Sequence, residues 1–558
     1  MEKVIKEYTH WSQADLPEDL RAELEAIEKD ENQIYDRFCK DLNFGTSGLR
    51  GKMGVGTNRI NSIVLKRATH GVMDYLFSKK DKPVVIIGYD TRINSKEYAM
   101  DIAKEMAAGG VEAKIFFEPT PVPVLSFAIP RLKADGGIMV TASHNPKEYN
   151  GYKVYDECGN QIDEQKARII EKYINKKDYF ERSQGVNRDP EKIFILGDEV
   201  KESYLKALKE HILLWGDEDE AKKALSALSV VYTPLNGVGR DYVMEVMRTL
   251  NIYRFKVVKE QSLWDGRFPT CQSPNPEYEE SFELAIDKYC DDNTDIIIST
   301  DPDSDRMGVM ARCNGNFKRL TGNQVGVLML DYVCCCSRHS GTLGPDKIAY
   351  KSYVSSPFAE DIARHYGVQI QNVPVGFKNI AAQIEKLKAL GREKDFLFGF
   401  EESLGYLYGN YTRDKDGVLA TQMICLMAAC LKSKGKTLFD RLEELHKEHG
   451  YAISRTSSIE FNSEADRKKI DNLMEDLFAG KMESLIGQPL EHDLKYKDIN
   501  MFKGTLRGGH QIIIRPSGTE MKIKIYAYAK GSSNEEAEMK VESLISEARN
   551  FVEDYCRA

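Results

Sequence analysis

Ser143 sits in Thr141-Ala142-Ser143-His144-Asn145-Pro146, a polar loop that follows the apolar run Gly137-Ile138-Met139-Val140. A serine at the end of a strand, in a loop stiffened by proline, is expected to hold its hydroxyl out to solvent. His144 offers a proton-carrying ring beside it, and Lys153 brings a cation to the same stretch. These are the parts of a serine that accepts and returns a phosphoryl group, a covalent strategy that splits one hard transfer into two easier ones. An adjacent Ser-His pair on its own is equally an ordinary solvated turn, so the remaining segments must decide.

Asp301-Pro302-Asp303-Ser304-Asp305-Arg306 places three carboxylates at alternate positions, directly after the apolar run Asp295-Ile296-Ile297-Ile298. In an extended segment alternate side chains share one side, which makes a hard oxygen site suited to Mg²⁺ with room for a phosphate oxygen. A calcium EF-hand is excluded, because Arg306 and Arg312 occupy the positions that need Gly and Glu. Gly45-Thr46-Ser47-Gly48-Leu49-Arg50-Gly51 reads either as a phosphate-cradling loop with Arg50 as donor or as a flexible turn. It is not a Walker A loop, since Met53 follows Lys52 where Ser or Thr is required. Arg515-Pro516-Ser517-Gly518-Thr519-Glu520, with Lys522 nearby, can grip a dianionic phosphate or can be a plain hairpin turn. Glu401-Glu402-Ser403 offers a carboxylate and a hydroxyl to adjacent sugar hydroxyls, or caps a helix N-terminus. Gly376-Phe377-Lys378 and Arg413-Asp414-Lys415-Asp416-Gly417 add cations around the same unit.

The elements that must position these groups follow one theme. Pro83–Tyr89, Leu228–Thr233 and Lys347–Tyr350 each open a strand-like unit, and the units end at Ser143, Asp301 and Glu401. Apolar runs alternating with helical stretches predict α/β sheets with ligands at the carboxyl ends of strands. The expected fold is three similar mixed α/β domains around one cleft, at 1–195, 196–314 and 315–438, plus an α+β domain at 439–558. In the last of these Met521–Tyr528 alternates as a half-exposed antiparallel strand should, and an amphipathic helix runs from Asn534 to about Tyr555. At 558 residues the chain exceeds one hydrophobic core. An acidic, helical stretch is expected from Trp11 to about Lys40.

The composition, 42% hydrophobic and 30% charged, is that of an ordinary globular chain. A net charge of -9 argues against nucleic acid or an acidic membrane as partner. Eleven cysteines without a CxxC pair fit a reducing compartment, and Cys334-Cys335-Cys336 reads as a continuation of the apolar helix begun at Val325, interrupted at Asp331. The N-terminus has no signal core and no run is long enough for a membrane span, so a cytoplasmic location is expected.

TASHNPKEYNGYKVY, DPDSDR, GFEESLGY and RPSGTEMKIK occur in the order found in the α-D-phosphohexomutases, the phosphoglucomutase/phosphomannomutase superfamily, and the chain resembles that family over nearly its whole length. FGTSGLRGKMGVGTNRIN and GFEESLGY look closest to the longer phosphoglucomutase/phosphopentomutase branch. The bifunctional mannose/glucose branch carries Gly-His after its sugar-loop serine, whereas Leu404-Gly405-Tyr406 stand here. The resemblance implies a phosphoserine at Ser143 and Mg²⁺ on Asp301, Asp303, Asp305 and the phosphoserine. It implies sugar contacts from Glu401 and Ser403, and a non-reacting phosphate held by Arg515, Ser517, Gly518, Thr519 and Lys522. Arg50, Lys153 and Lys415 fall where the family places active-site cations, with Lys415 a candidate proton carrier. Arg306 should draw charge from the transferring group, and Gly376 and Lys378 join the substrate-binding set. The expected reaction interconverts glucose 1-phosphate and glucose 6-phosphate through glucose 1,6-bisphosphate, with phosphopentomutase or phosphomannomutase activity as the alternative and a sugar-phosphate hydrolase as the distant one. The expected partner is a phosphorylated sugar, with the protein a monomer or weak homodimer.

Overall fold

The computed structural model describes residues 1–181, 192–461, 464–517 and 522–557. Gly518 and Thr519 therefore lie outside the described residues.

Three sheets repeat one wiring. The first contains β1 (Leu49–Lys52), β2 (Val84–Tyr89), β3 (Glu112–Phe116), β4 (Gly136–Val140), β5 (Tyr149–Asp156) and β6 (Ile193–Leu196), in the order β1-β5-β4-β2-β3-β6. The second contains β7 (Ser229–Thr233), β8 (Arg254–Val257), β9 (Ile296–Thr300), β10 (Met307–Cys313) and β11 (Asn316–Arg319), in the order β11-β10-β9-β7-β8. The third contains β12 (Ile348–Ser352), β13 (Gln369–Val373), β14 (Phe396–Glu401) and β15 (Gly405–Tyr408), in the order β13-β12-β14-β15. In each sheet the unit's first strand lies between its parallel second and third, and a fourth returns antiparallel beside the third. The loop from third to fourth strand is thus the same topological place three times. It holds Ser143 in the first unit, Asp301–Asp305 in the second and Glu402–Leu404 in the third, with Glu401 closing the strand.

Every residue of β4, β7, β9, β12 and β14 is buried. Strands covered on both faces need continuous apolar side chains, which is why the Val/Ile/Phe runs form here. Polar residues begin where each strand leaves the layers, so chemistry concentrates at strand ends.

The fourth sheet is antiparallel. It is built from β16 (Tyr451–Glu460), β19 (Glu491–His492), β20 (Phe502–Thr505), β21 (Gln511–Pro516) and β22 (Lys522–Gly531), in the order β16-β22-β21-β20-β19. A small ribbon of β17 (Ser484–Leu485) and β18 (Gln488–Pro489) stands apart. The helix Asn534–Arg557 lays Val541, Leu544, Ala548 and Val552 on one face of this sheet. The half-exposed pattern expected of the strand after Met521 holds only at its start, since Ile525–Ala529 are all buried. The second face is covered by the third unit: Tyr526 packs with Val354, and Tyr528 joins the large core that includes Phe358.

A helix at Glu2–Gln13 precedes the predicted start of helical structure and carries Trp11 into the core, edge-on to Phe38 and Phe180. The triple cysteine does lie on a largely buried helix, Gly322–His339, with Cys334 and Cys336 inward and Cys335 exposed. Asp331 remains buried there because Arg441 pairs with it twice, at 2.9 and 3.0 Å, and the Tyr366 hydroxyl donates at 2.9 Å. Among the described residues no helix is long and apolar enough to cross a membrane.

Candidate active site

Ser143 has the left-handed φ of 54° and is 2% exposed. This corrects the expectation of a hydroxyl held out to solvent. The Asp301 loop of the second unit closes over it, so Oγ donates to Asp301 Oδ2 at 2.8 Å. His144 Nδ1 lies 3.1 Å from the same oxygen. Burial, then the charges of Arg306, Arg50, Arg92 and Lys153, hold His144 well below the usual imidazole range, so the ring is neutral at pH 7.

The three aspartates do converge, although through a turn rather than an extended segment. Ser304 takes φ 53°, and one carboxylate oxygen from each of Asp301, Asp303 and Asp305 lies within 4.8 Å of the others. Lys153 on β5 donates to Asp303 Oδ2 at 2.9 Å and reaches Asp305 Oδ2 at 3.5 Å. Lys415, from the third unit, reaches Asp305 Oδ2 at 2.8 Å. Burial and the charges of Asp303 and Asp305 push Asp301 well above the carboxylate range. Burial works upward on Asp303 too, but the Lys153 ammonium outweighs it and holds Asp303 low. Burial pulls Lys415 down, and Asp305 and Asp414 overcome it, so its ammonium is held charged.

The donor set fits a divalent cation. Asp303 Oδ1 and Asp305 Oδ1 are buried and make no hydrogen bond to the described residues, while the lysines occupy the Oδ2 atoms. Two buried carboxylate oxygens without donors are costly, and a small hard cation is the ligand that relieves them.

Arg50 reaches the Ser143 loop from β1, with Nη1 donating to Asn145 Oδ1 at 3.2 Å. The glycine loop before it is a tight turn, with Gly45 and Gly48 exchanging backbone bonds of 3.0 and 2.8 Å. Gly48 has φ 72°, and a Cβ there would stand 1.8 Å from Tyr152 O, so this is a fixed turn and not a flexible one. Arg306 donates its N–H to Asp301 Oδ1 at 3.0 Å and points its guanidinium at Glu277, 3.4 Å away.

Glu401 ends a strand and is followed by a turn, so the helix-capping alternative does not hold. Its Oε1 accepts the Gly376 N–H at 2.6 Å, which joins two predicted sugar-site residues. Burial and the Glu402 charge push Glu401 up to about 7. Ser403 is half-buried in the adjoining turn. Lys378, in the first turn of the helix Phe377–Ala389, is lowered by burial while Glu164 and Asp163 of the first unit oppose the shift. Arg515, Ser517 and Lys522 lie on the β21–β22 hairpin, each half-buried, with Ser517 N–H donating to Lys522 O at 2.8 Å. The structure gathers Ser143, His144, Lys153, Lys415 and the three aspartates into one contact cluster. The hairpin is a separate element, on the antiparallel sheet whose Tyr526 packs against Val354 of the third unit.

Several residues of the site escape sequence reasoning. Asp90, Arg92 and Thr141 are buried around the Ser143 loop, and Asp414 accepts from Tyr155 at 3.0 Å and Gln161 at 2.9 Å beside Lys415. The one available signal was the polar Asp90 at the end of an apolar run, the same signal that marks Ser143 and Asp301.

Comparison with known proteins follows the same division. The phosphoglucomutase/phosphomannomutase α/β/α domains I, II and III match residues 41–181, 202–315 and 321–449. A phosphoglucomutase from Staphylococcus epidermidis is 34% identical over 509 residues, 87% of this chain and 90% of that protein. A phosphoglucomutase from Staphylococcus aureus is 32% identical over 538 residues, 91% of this chain and 93% of that protein. Among solved structures, pp63/parafusin, a phosphoglucomutase from Paramecium in its open form, superposes with a TM-score of 0.69 at 18% identity, covering 92% of this chain and 95% of that one. A phosphoglucomutase/phosphomannomutase family protein from Burkholderia thailandensis gives 0.67 at 18% identity, covering 91% and 97%. With three domains matched in order and a third of the aligned positions identical over 87% of the chain, the chain belongs to the phosphoglucomutase/phosphomannomutase family.

Proposed function

We propose that this protein is a phosphoglucomutase that interconverts glucose 1-phosphate and glucose 6-phosphate, with Ser143 as the phosphate carrier and glucose 1,6-bisphosphate as the intermediate. The observation that carries the reading is the Ser143 hydroxyl set 2.8 Å from Asp301 inside a carboxylate cluster with unsatisfied oxygens. The phosphoglucomutase relatives at 34% and 32% identity support glucose as the sugar. The domains behind this reading are 1–195, 196–314, 315–438 and 439–558.

Asp301, Asp303, Asp305 and the phosphorylated Ser143 would hold Mg²⁺, which when bound offsets charge on the transferring phosphoryl group. The chain's own groups do the rest. Lys153 on Asp303 and Arg306 on Asp301 place positive charge around the Ser143–Asp301 pair, where burial strengthens it. The neutral His144 ring at Ser143 Oγ takes the hydroxyl proton as the phosphate arrives on Ser143 and returns it as the phosphate leaves. Lys415 becomes a proton carrier once Asp305 is engaged elsewhere. Glu401 and Ser403 orient the sugar hydroxyls, with Gly376 and Lys378 beside them. Arg515, Ser517, Gly518, Thr519 and Lys522 hold the phosphate that is not reacting. After one transfer the bisphosphate turns end for end and returns its other phosphate to Ser143.

The test is to supply purified protein, Mg²⁺ and a trace of glucose 1,6-bisphosphate with glucose 1-phosphate, and to measure glucose 6-phosphate and free phosphate together. Glucose 6-phosphate without phosphate release supports the mutase. Stoichiometric free phosphate would show a hydrolase, and faster turnover of ribose 1-phosphate or mannose 1-phosphate would move the substrate to the pentomutase or phosphomannomutase alternative.

A further inference from the structure

Arg92 acts so far only as one of the charges around His144, yet its guanidinium is enclosed completely. It lies just past β2 and reaches across to the Ser143 loop. Nη2 donates to Ser143 O at 2.5 Å and also to Asn145 O, while Nη1 donates to Pro146 O at 2.9 Å and Tyr149 O at 3.0 Å. Its Nε stands 3.3 Å from Asp90 Oδ2. Asp90 Oδ1 accepts from the Arg92 N–H at 2.9 Å and from Ser95 Oγ at 2.7 Å. One planar fork therefore closes three carbonyls of the Ser143 loop and that of Tyr149 at the start of β5, a geometry that the point charge of lysine does not reproduce.

Thr141 completes the arrangement. Its Oγ1 is 2.6 Å from Asp90 Oδ2 and 3.1 Å from Asp303 Oδ2, and it accepts the Ser143 N–H at 2.8 Å. The hydroxyl has one proton, and the shorter contact takes it to Asp90. Asp303 Oδ2 already receives the Lys153 ammonium. The Thr141 lone pair is then directed at Ser143. Both backbone groups of Ser143 are pinned, its N–H by Thr141 and its carbonyl by Arg92. A non-glycine residue in the left-handed region persists only when its surroundings enforce it. With both ends of the residue held at φ 54°, the direction of Oγ towards Asp301 is set.

We propose that Asp90, Arg92 and Thr141 form a positioning unit that fixes Ser143 in its left-handed conformation and so aims its oxygen for transfer. The proposal rests on Ser143 being the phosphate carrier. The unit touches no reacting atom, so it acts on the chemical step and not on sugar binding. Misplacement by about 1 Å lowers a rate by on the order of 100-fold.

Steady-state kinetics on Thr141→Val, Thr141→Ser and Arg92→Lys test this. Thr141→Val keeps the side chain's shape and replaces only the hydroxyl, with a methyl group that can neither donate nor accept. Its kcat should fall at least tenfold with KM within twofold of wild type, and Thr141→Ser should recover most of that loss. Arg92→Lys should lower kcat by about 100-fold, again with KM held. A kcat within twofold of wild type in Thr141→Val, or kcat and KM changing together, overturns the proposal. Amide hydrogen exchange gives a second readout that needs no turnover: amides of residues 143–149 should lose protection in Thr141→Val while those of β2 and β4 keep theirs. If Arg92→Lys does not fold, the Thr141 pair decides alone. If wild type fails to turn over glucose 1-phosphate, the proposed function falls, and unchanged exchange at 143–149 then overturns the positioning unit separately.

Discussion

Ser143 and the Arg515 hairpin both set hydroxyls among cations, yet the hydroxyl and cations of the first are buried and those of the second half-buried. Lys153, Arg92 and Ser143 are each under 5% exposed and tied to buried carboxylates or carbonyls. Arg515, Ser517 and Lys522 remain half-buried at the adjoining ends of β21 and β22 in the antiparallel domain. Burying charge costs several kcal/mol per ion and returns most where charge develops during reaction, because dipoles fixed in advance need not reorganise. Under the proposed function, the second site binds either end of a substrate and lets it turn, which has no use for such rigidity. Under the proposed function the contrast matches transition-state work in the first region and ground-state holding in the second.

The largest effect should come from Ser143→Ala, which removes the carrier oxygen. We expect turnover to fall by on the order of 10⁴-fold or more, as removing a covalent nucleophile does. Steady-state assay of the variant, freed of contaminating mutase, checks this, and a rate within tenfold of wild type would end the carrier assignment.

Asp303→Asn comes next. It keeps the shape and weakens one ligand, so rate and Mg²⁺ affinity should fall together, the rate by about 100-fold. A Mg²⁺ titration of activity decides, and an unchanged midpoint removes this loop from the metal site.

Arg515→Ala probes the other region. A lost charged contact present in ground and transition states alike should raise KM for glucose 1-phosphate about tenfold, equivalent to about 1.4 kcal/mol, with kcat little changed. Collapse of kcat at constant KM would reverse the contrast between the two regions.

The smallest effect concerns Glu401, which lies between them. Its carboxyl is raised to about 7 from an ordinary 4.5, so the native state binds the proton more tightly than the unfolded chain does. Stability from this group is complete below pH 4.5 and is lost as pH rises through 7. Glu401→Gln should flatten the fall in melting temperature between pH 5 and 8, by at most about 3 kcal/mol in the underlying free energy. Parallel pH-dependent melts of both proteins measure it, and identical slopes would show that Glu401 is not the group responsible.

Much of this arrangement is legible in the chain. The runs at Val84–Tyr89, Ser229–Thr233 and Ile296–Thr300 read as buried strands because strands covered on both faces must be apolar throughout. Asp301, Asp303 and Asp305 read as one site because they are close in sequence and therefore in space. The strand after Met521 was misread as half-exposed, since its alternation breaks off once a second layer covers it. Arg92 was not legible at all, because its four carbonyl partners lie across a strand order that sequence spacing does not reveal.

By itself the sequence determined the local chemistry: which residues end strands, where three carboxylates cluster, and that a hydroxyl and a ring nitrogen adjoin at Ser143 and His144. These follow from side-chain type and short-range periodicity, which act over a few residues. Only the tertiary structure decided that Ser143 is buried, that Asp301 from the second unit accepts its hydroxyl, and that Lys415 from the third neutralises Asp305. Those pairings join residues more than a hundred positions apart, and their geometry depends on how whole sheets pack against one another. The physical reason is that strand propensity and turn chemistry are local, whereas desolvation and charge pairing are set by neighbours that the chain order does not name.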